Sequence, residues 1–249
     1  MGERKIRVGA VSYLNTIPML EGLQKGPIAT EISLQLHYPA GLAGMLKAGE
    51  IDIALLPVGV LPELGNYEIL GDVCIGTVGE VASVAVFSQV DMEMIETVIL
   101  DYQSRTSVLL CRILFEKLWK RTVKFIPATD ESYIEQIQGT TAALIIGDRA
   151  LSYRDQVKHV FDLGQGWQEL TGLPFVFAVW VATKPLESEF VKRFAEAVQE
   201  GTGQLRQIAD RIDFPDYDLY TYFTNNISYK LDEAKMKGLQ RFKEEIAGR

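Results

Sequence analysis

The sequence predicts an α/β protein of two lobes, joined by two crossovers and separated by a cleft. Apolar runs of strand length alternate with helical patterns near the N-terminus, and a second alternation begins at residue 97. Two longer apolar runs, at residues 81–88 and 175–182, flank this second pattern and give the chain two places to cross between lobes. We therefore expect lobe 1 to comprise residues 1–88 and 184–249, and lobe 2 to comprise residues 89–183.

The composition is typical of a globular protein and argues against a nucleic-acid partner. Of the 249 residues, 47% are hydrophobic and 23% are charged, which is enough to bury a core. The net charge of −8 argues against a nucleic-acid partner. No segment approaches the roughly 20 apolar residues of a membrane span. The basic N-terminal residues lead into a strand rather than an apolar signal, so we expect a cytoplasmic protein without a membrane partner.

Cysteine and histidine are scarce, which limits the kinds of metal site and nucleophilic catalysis that the chain can support. Cys74 and Cys111 are far apart in apolar surroundings and are predicted to be buried, reduced thiols. The only histidines are His37 and His159, which excludes a histidine-rich metal site and argues against a Ser–His or Cys–His pair. His37 follows a predicted strand, where it could reach a ligand.

A polar turn joins the first strand to the first helix. The strand is predicted over residues 6–11, and Pro18 fits the first turn of the helix, where a missing N–H costs nothing. Ligands of α/β proteins bind where strands end and helices begin, because free N–H groups converge there. The turn carries four polar side chains, namely Ser12, Tyr13, Asn15 and Thr16. The alternative is that Asn15 or Thr16 merely caps the helix.

Two more segments of lobe 1 are predicted to face the cleft. A helix over residues 39–46 and a strand over residues 51–56 end at Pro57, which would lie beside the end of the first strand. A glycine-containing loop over residues 76–80 precedes Ser83, and glycines allow the backbone to approach a ligand closely. The alternative is an ordinary glycine turn.

Lobe 2 repeats the pattern of a strand followed by a polar helix start. After a strand at residues 98–100, three hydroxyl side chains precede a helix predicted over residues 108–120, namely Ser104, Thr106 and Ser107. One of them must cap the helix, and the surplus indicates an anion cradle. A buried strand over residues 142–148 ends in Gly147 and Asp148, and Asp148 can cap the next helix, contact a ligand or do both. Residues 164–172 read as a polar loop.

These two lobes and their cleft form the architecture of a type 2 periplasmic-binding-protein fold. Five segments in order also resemble the chorismate dehydratase family: Ser-Tyr-Leu-Asn-Thr-Ile-Pro at 12–18, Asp-Ile-Ala-Leu-Leu-Pro at 52–57, Ser-Arg-Thr-Ser at 104–107, Ile-Gly-Asp at 146–148 and Thr-Gly-Leu-Pro-Phe at 171–175. Each segment alone is weak, but five at suitable spacing are fairly specific. The turn at residues 58–60 departs from the family, in which many members are more polar there.

The resemblance implies an enzyme without a metal or organic cofactor, acting in the futalosine route to menaquinone. The reaction would eliminate water from chorismate and give 3-[(1-carboxyvinyl)oxy]benzoate. A sister family that forms dihydroxynaphthoate has Cys-Pro-Asn-Asp where this chain has Tyr-Leu-Asn-Thr at residues 13–16, which disfavours that alternative. A cytoplasmic protein that binds a small anion without catalysis is the other alternative, since fold does not fix function.

The implied roles divide the polar residues into two sets. Asn15 and Ser83 are the expected catalytic residues. The expected substrate-binding residues are Ser12, Tyr13, Thr16, Pro57, Ser104, Thr106, Ser107, Gly147 and Asp148. Glu80 and Asp148 are the only carboxylates near the motifs, and a dianionic substrate would repel them. We therefore expect the enolpyruvyl carboxylate of the substrate to remove the C3 proton.

Overall fold

Eleven strands and ten α-helices make up the described part of the computed structural model, residues 5–37 and 39–248. The strands are β1 (Ile6–Ala10), β2 (Ile32–Leu36), β3 (Ile53–Pro57), β4 (Glu68–Thr77), β5 (Val84–Ser88), β6 (Thr97–Leu100), β7 (Lys124–Pro127), β8 (Thr141–Ile146), β9 (His159–Asp162), β10 (Phe175–Ala182) and β11 (Ser228–Lys230). The helices are α1 (Ile17–Gln24), α2 (Ile28–Glu31), α3 (Pro39–Ala48), α4 (Arg105–Lys117), α5 (Asp148–Tyr153), α6 (Leu163–Thr171), α7 (Ser188–Thr202), α8 (Leu205–Ala209), α9 (Leu219–Thr221) and α10 (Glu233–Ile246).

The strands form two separate mixed sheets, one in each lobe. The six-stranded sheet has the order β11-β4-β10-β3-β1-β2, and the five-stranded sheet has the order β7-β6-β8-β5-β9. In the first sheet β1 pairs in parallel with β2 and β3, while β10 runs antiparallel to β3 and β4. In the second sheet β6 pairs in parallel with β7 and β8, while β5 runs antiparallel to β8 and β9.

Strand pairing differs from the expected lobe limits at both crossovers. The strand β5 belongs to the second sheet, and β10 belongs to the first. The limits at 88/89 and 183/184 assign each of these strands to the opposite lobe. The reason is that each long apolar strand is the first strand after a crossing, not the last one before it. The chain therefore crosses over residues 78–83 and again over residues 172–174.

Residues 164–172, expected to be a polar loop, lie almost entirely in α6. Asp162 caps this helix by accepting a hydrogen bond from Gln165 N, and the helix ends at Gly172 in the left-handed conformation. The glycines that suggested a loop serve close packing instead. A Cβ at Gly166 would lie 3.0 Å from Leu114 Cδ1, and one at Gly164 would lie 2.5 Å from Gly79 O.

The structure also tests the predictions for the two cysteines and for the helix expected from residue 108. Cys74 and Cys111 are both buried free thiols, as their apolar surroundings predict, and burial raises the pKa of Cys74 to about 12. The helix expected from residue 108 begins at Arg105, because Ser104 caps it. Over the described ranges, no helix has both the length and the hydropathy to cross a membrane.

Candidate active site

A cavity lies between the two lobes, at the ends of β1, β3 and β8. Its polar lining comes from both lobes: Tyr13, Asn15, Ser83, Gln103, Ser104 and Ser107. The rest of the lining is mainly apolar and is formed by Val11, Leu55, Pro57, Ile75, Val81, Val84, Ile146, Phe177 and Ala178. The arrangement suits a ligand with a planar apolar ring and polar substituents.

The cavity is closed by hydrogen bonds that run from one lobe to the other. The Tyr13 hydroxyl donates to Gln103 Oε1 at 2.6 Å, and Leu14 N donates to Asp148 Oδ1 at 3.1 Å. Gly59 N donates to Thr106 Oγ1 at 2.9 Å, at a point where a Cβ on Gly59 would lie 2.9 Å from Thr106 Cα. The turn at residues 58–60, which departs from the family pattern, is thus a contact between the lobes.

Asn15 lines the cavity, and one atom of its amide lacks a hydrogen-bond partner in the described part of the chain. Its Oδ1 atom is buried and has no hydrogen-bond partner among the described residues. The backbone is fixed from behind, because the buried Tyr229 hydroxyl donates to Asn15 O at 3.0 Å. Buried polar groups normally have partners, so this acceptor atom is suited to a hydrogen-bond donor of a ligand, such as a hydroxyl group. The capping alternative fails, since within the described chain α1 has no side-chain cap.

Ser83 lies on the first crossover, in a turn with an uncommon backbone conformation. Ser83 N donates to Val81 O at 2.7 Å, and the residue between them, Ala82, has a φ of +61°. This is a γ-turn with a positive φ at a residue other than glycine, which is strained and needs support. The turn aims the fully buried Ser83 side chain at the cavity.

The support comes from two side chains of lobe 2. Asp162 accepts hydrogen bonds from Val81 N at 3.1 Å and from Ala82 N at 2.8 Å. Arg154 donates to Ala82 O at 2.8 Å and also pairs with Glu80. Burial raises the pKa of Asp162 to about 6, while its backbone hydrogen bonds act in the opposite sense. Every backbone polar group of residues 81–83 is hydrogen-bonded, since Ser83 O accepts from Gly147 N at 2.8 Å.

The start of α4 supplies two hydroxyl groups to the cavity. Ser104 caps the helix by accepting from Ser107 N at 3.2 Å, as one of the three hydroxyl residues was expected to do. The Ser104 and Ser107 hydroxyls lie 2.9 Å apart, and both residues line the cavity. Thr106 is turned away, because its hydroxyl accepts the hydrogen bond from Gly59 N.

An outer recess adjoins the cavity on the far side of Tyr13 and Gln103. It contains three further residues that sequence reasoning singled out: Ser12, His37 and Asp148. Arg149 also lines it and pairs with the buried Asp101 at 2.7 Å. Burial raises the pKa of Asp101, and Arg149 acts in the opposite sense. Asp101 also accepts from Gln103 N at 2.7 Å, which fixes the loop that carries Gln103.

The cavity therefore brings together seven of the eleven residues expected at the site: Tyr13, Asn15, Pro57, Ser83, Ser104, Ser107 and Gly147. Thr16 departs from expectation because its buried hydroxyl lies 2.8 Å from Val11 O and 2.6 Å from Tyr13 O, within its own turn. Thr106 binds the facing lobe instead, and Ser12 and Asp148 line only the outer recess. Asp148 neither caps α5 nor reaches the cavity, since its carboxylate accepts from Leu14 N.

Four residues that support the site escape sequence reasoning, namely Asp101, Gln103, Asp162 and Tyr222. Gln103 had a local signal because it precedes Ser104 directly, and Asp162 had one because it lies three residues before Gln165. The contacts by which Asp162 and Tyr222 support Ser83 and its turn are with residues far away in the sequence; the Tyr222 hydroxyl donates to Ser83 Oγ at 2.8 Å across 139 positions.

The cavity is electrically neutral apart from helix dipoles. Among the described lining residues there is no carboxylate, ammonium or guanidinium group, and the one ionisable side chain is Tyr13. Burial raises the pKa of Tyr13, so its hydroxyl stays protonated. Within residues 5–37 and 39–248, no three His, Cys, Asp or Glu side chains are grouped so that they could hold a metal ion. The chemistry available here is hydrogen bonding from neutral groups.

Comparison with known proteins identifies the family. The sequence profile of the menaquinone biosynthesis family matches residues 6–247. The chain belongs to this family. A protein named chorismate dehydratase from Thermus thermophilus is 29% identical over 274 residues, which cover 96% of this chain and 94% of that protein. One of the same name from Campylobacter jejuni is 26% identical, covering 94% of each. The resemblance to chorismate dehydratases is therefore confirmed.

Solved structures confirm the fold class of this menaquinone biosynthesis protein. An X-ray structure of an Archaeoglobus fulgidus protein matches with a TM-score of 0.78 at 16% identity, covering 99% of this chain and 98% of that one. The alkanesulfonate-binding protein of Xanthomonas axonopodis matches with a TM-score of 0.67 at 13% identity, covering 98% and 93%. Two lobes of the periplasmic-binding-protein type are thus the correct architecture.

Proposed function

We propose that this protein is a chorismate dehydratase, which eliminates water from chorismate to give 3-[(1-carboxyvinyl)oxy]benzoate. The observation that carries the proposal is the cavity between the lobes, whose lining combines neutral hydroxyl and amide groups with apolar side chains. Membership of the menaquinone biosynthesis family and the names of two relatives support it. The enzyme is then a hydro-lyase. As a biosynthetic enzyme, we place it in the cytoplasm.

The reaction is a balanced elimination that needs no oxidant or cofactor. The C3–H bond and the C4–O bond of the substrate ring break, a double bond forms between C3 and C4, and water leaves. Because the ring becomes aromatic, the reaction has a strong driving force of its own. The task of the protein is therefore to hold the dianion in a reacting geometry and to stabilise the departing hydroxyl.

The proton acceptor in this proposal is the enolpyruvyl carboxylate of the substrate itself. Glu80 is about half exposed and pairs with Arg154, and Asp148 lies in the outer recess, where it is bonded to Leu14 N. Neither lines the cavity that would hold the substrate. Asn15 is proposed to hold the enolpyruvyl carboxylate through its amide N–H groups, and Ser83 to donate a hydrogen bond to the departing hydroxyl. That hydroxyl then leaves as water with the proton that the carboxylate took from C3.

The ring carboxylate is proposed to bind at the start of α4. Ser104 and Ser107 line the cavity there, and the positive end of a 13-residue helix favours a negative charge by about 0.3–2 kcal/mol. The apolar side chains of the lining would contact the ring face. Tyr13, Pro57 and Gly147 would then enclose the ligand, since Gly147 packs directly against the Tyr13 ring.

The deciding experiment is incubation of the purified protein with chorismate, followed by mass spectrometry and proton NMR. We expect a product lighter by one water, with aromatic ring signals that grow at the expense of the diene signals. Unchanged chorismate would contradict the proposal. If chorismate binds in calorimetry but is not converted, the protein is an anion-binding protein. The similarity in fold to the alkanesulfonate-binding protein is the reason to test this alternative.

A further inference from the structure

The fully buried Tyr222 lies directly behind Ser83 and outside the lining of the cavity. Its hydroxyl donates to Ser83 Oγ at 2.8 Å. Asn15 also lies close enough to this hydroxyl to lower its pKa, as Ser83 does, although burial raises that pKa more strongly. Tyr222 thus lies between the two residues expected to act on the substrate.

The geometry points to Tyr222 as a positioning residue of the dehydratase, which orients the Ser83 hydroxyl so that its proton faces the substrate. A serine hydroxyl has one proton and two lone pairs. Because Tyr222 occupies one lone pair, the Ser83 proton is left to turn elsewhere. Its nearest acceptor in the described protein is Val81 O, at a long 3.5 Å. A substrate hydroxyl in the cavity would offer a better acceptor.

The donation also makes Ser83 a better acid. Hydrogen bonds in a chain strengthen one another in a low-dielectric interior. Tyr222 remains a donor throughout the physiological range, because its burial keeps the phenol protonated. The chain Tyr222–Ser83–substrate would therefore assist departure of the C4 hydroxyl as water. Tyr222 itself does not touch the substrate.

The local backbone is built to hold this ring in place. Tyr222 begins a π-helical turn, Tyr222–Asn226, and such turns occur frequently at functional sites. Its ring packs edge-on against Tyr217, with ring centroids 6.2 Å apart. It also contacts the Phe223 ring, whose centroid is 5.6 Å away. The same segment leads to Tyr229, which holds the backbone of Asn15.

The test compares Tyr222→Phe with Tyr217→Phe in steady-state dehydration of chorismate. Tyr217 is the matched control, because it packs on the same ring and its hydroxyl bonds Asn226 Oδ1 rather than Ser83. We expect Tyr222→Phe to lower kcat about tenfold, the scale of one hydrogen bond, with KM nearly unchanged. Tyr217→Phe should keep kcat close to that of the wild type.

A double-variant cycle separates positioning from general packing. If Tyr222 acts through Ser83, adding Tyr222→Phe to Ser83→Ala should cause no further loss of kcat. An equal loss in both backgrounds would overturn the inference, and so would full activity of the single Tyr222→Phe variant. Should that variant fail to fold, 3-fluorotyrosine at position 222 keeps the shape and strengthens the donor. We then expect kcat to rise, and an unchanged kcat would overturn the inference.

The inference rests on the proposed function, and the two fail differently. A wild-type protein that does not convert chorismate overturns the proposed function. An active wild type whose Tyr222→Phe variant keeps its full kcat overturns the role of Tyr222 alone.

Discussion

The turns that precede α1 and α4 are similar in sequence but use their polar side chains differently. Before α4, Ser104 caps the helix and Thr106 accepts a hydrogen bond from the facing lobe. Before α1, Thr16 bonds back to its own turn, while Asn15 Oδ1 is left without a partner in the described protein. The difference separates residues committed to the fold from those available to a ligand. Committed groups should affect stability or closure, and available groups should affect turnover.

The largest expected effect is on the available amide. Asn15→Ala should lower kcat by about 100- to 1,000-fold, which is typical for loss of one donor that stabilises developing charge. The melting temperature should change little, because Asn15 Oδ1 has no hydrogen-bond partner in the described protein and the variant loses only the contact of its side chain with the Tyr222 hydroxyl. Steady-state kinetics and thermal melts check both statements.

Two carboxylate variants serve as controls for Asn15. Glu80→Gln and Asp148→Asn should keep most of the turnover, since neither residue lines the cavity. In the second variant the amide oxygen that replaces the carboxylate can still accept the hydrogen bond from Leu14 N. Complete loss of activity in either folded variant would assign the proton acceptor to that residue and contradict the substrate-as-base mechanism.

The next effect concerns Asp162, a fully committed group whose pKa burial raises to about 6. In an unfolded chain an aspartate has a pKa of about 3.9. The folded protein therefore binds a proton on the Asp162 carboxyl more tightly than the unfolded chain does. The resulting stabilisation of the folded state is complete below about pH 4 and is lost as the pH rises through about 6. The difference amounts to about 3 kcal/mol.

Urea unfolding between about pH 4 and pH 7 measures this contribution when the wild type is compared with Asp162→Asn. The free energy of unfolding of the wild type, relative to that of the variant, should fall by up to about 3 kcal/mol across the range. A constant difference would show that Asp162 does not titrate there.

A smaller effect is expected where the lobes touch. Gly59→Ala places a Cβ 2.9 Å from Thr106 Cα, so the lobes must separate slightly. Affinity for the benzoate product should weaken by about 1–3 kcal/mol, the usual cost of overpacking. Product-induced compaction in small-angle scattering should also diminish. Gly41→Ala is the control, because a Cβ there meets open space; equal affinity in both variants would argue against closure at Gly59.

The smallest effect separates the hydroxyls of α4. Ser107→Ala removes a group that lines the cavity and should weaken substrate binding by about 1 kcal/mol, while the Ser104 cap on the backbone N–H of residue 107 remains. Calorimetry with product gives the affinity. Unaltered binding would mean that the ring carboxylate lies elsewhere in the cavity.

Local sequence patterns predicted most of the fold, because strands, caps and proline positions are local features. Pro18 does lie in the first turn of α1, Ser104 does cap α4, and β10 coincides with the long apolar run at residues 175–182. The helix α6 was missed because Gly164 and Gly166 resemble loop residues, although the pattern from Asp162 to Gln165 is a capping signal.

The site was harder to predict than the fold, because residue type does not reveal which hydroxyl already has a partner. Thr16 and Thr106 look as available as Ser107, yet neither lines the cavity, because the hydroxyl of Thr16 bonds to its own turn and that of Thr106 to Gly59 N. Likewise, nothing near Tyr222 in the sequence indicates Ser83. Such commitments depend on tertiary contacts between distant residues.

The saturated γ-turn at residues 81–83 has a consequence for where the molecule can bend. A segment with all six backbone polar groups bonded is not pliable, so its amide hydrogens should exchange as slowly as those of the adjoining strand β5. When the lobes open, the chain must then bend on either side of the γ-turn at residues 81–83. Gly79 on the first crossover and Gly172 on the second, with a φ of +71°, are the positions best able to absorb that rotation. Ser83 would travel as a rigid part of lobe 2, and Asn15 would remain with lobe 1.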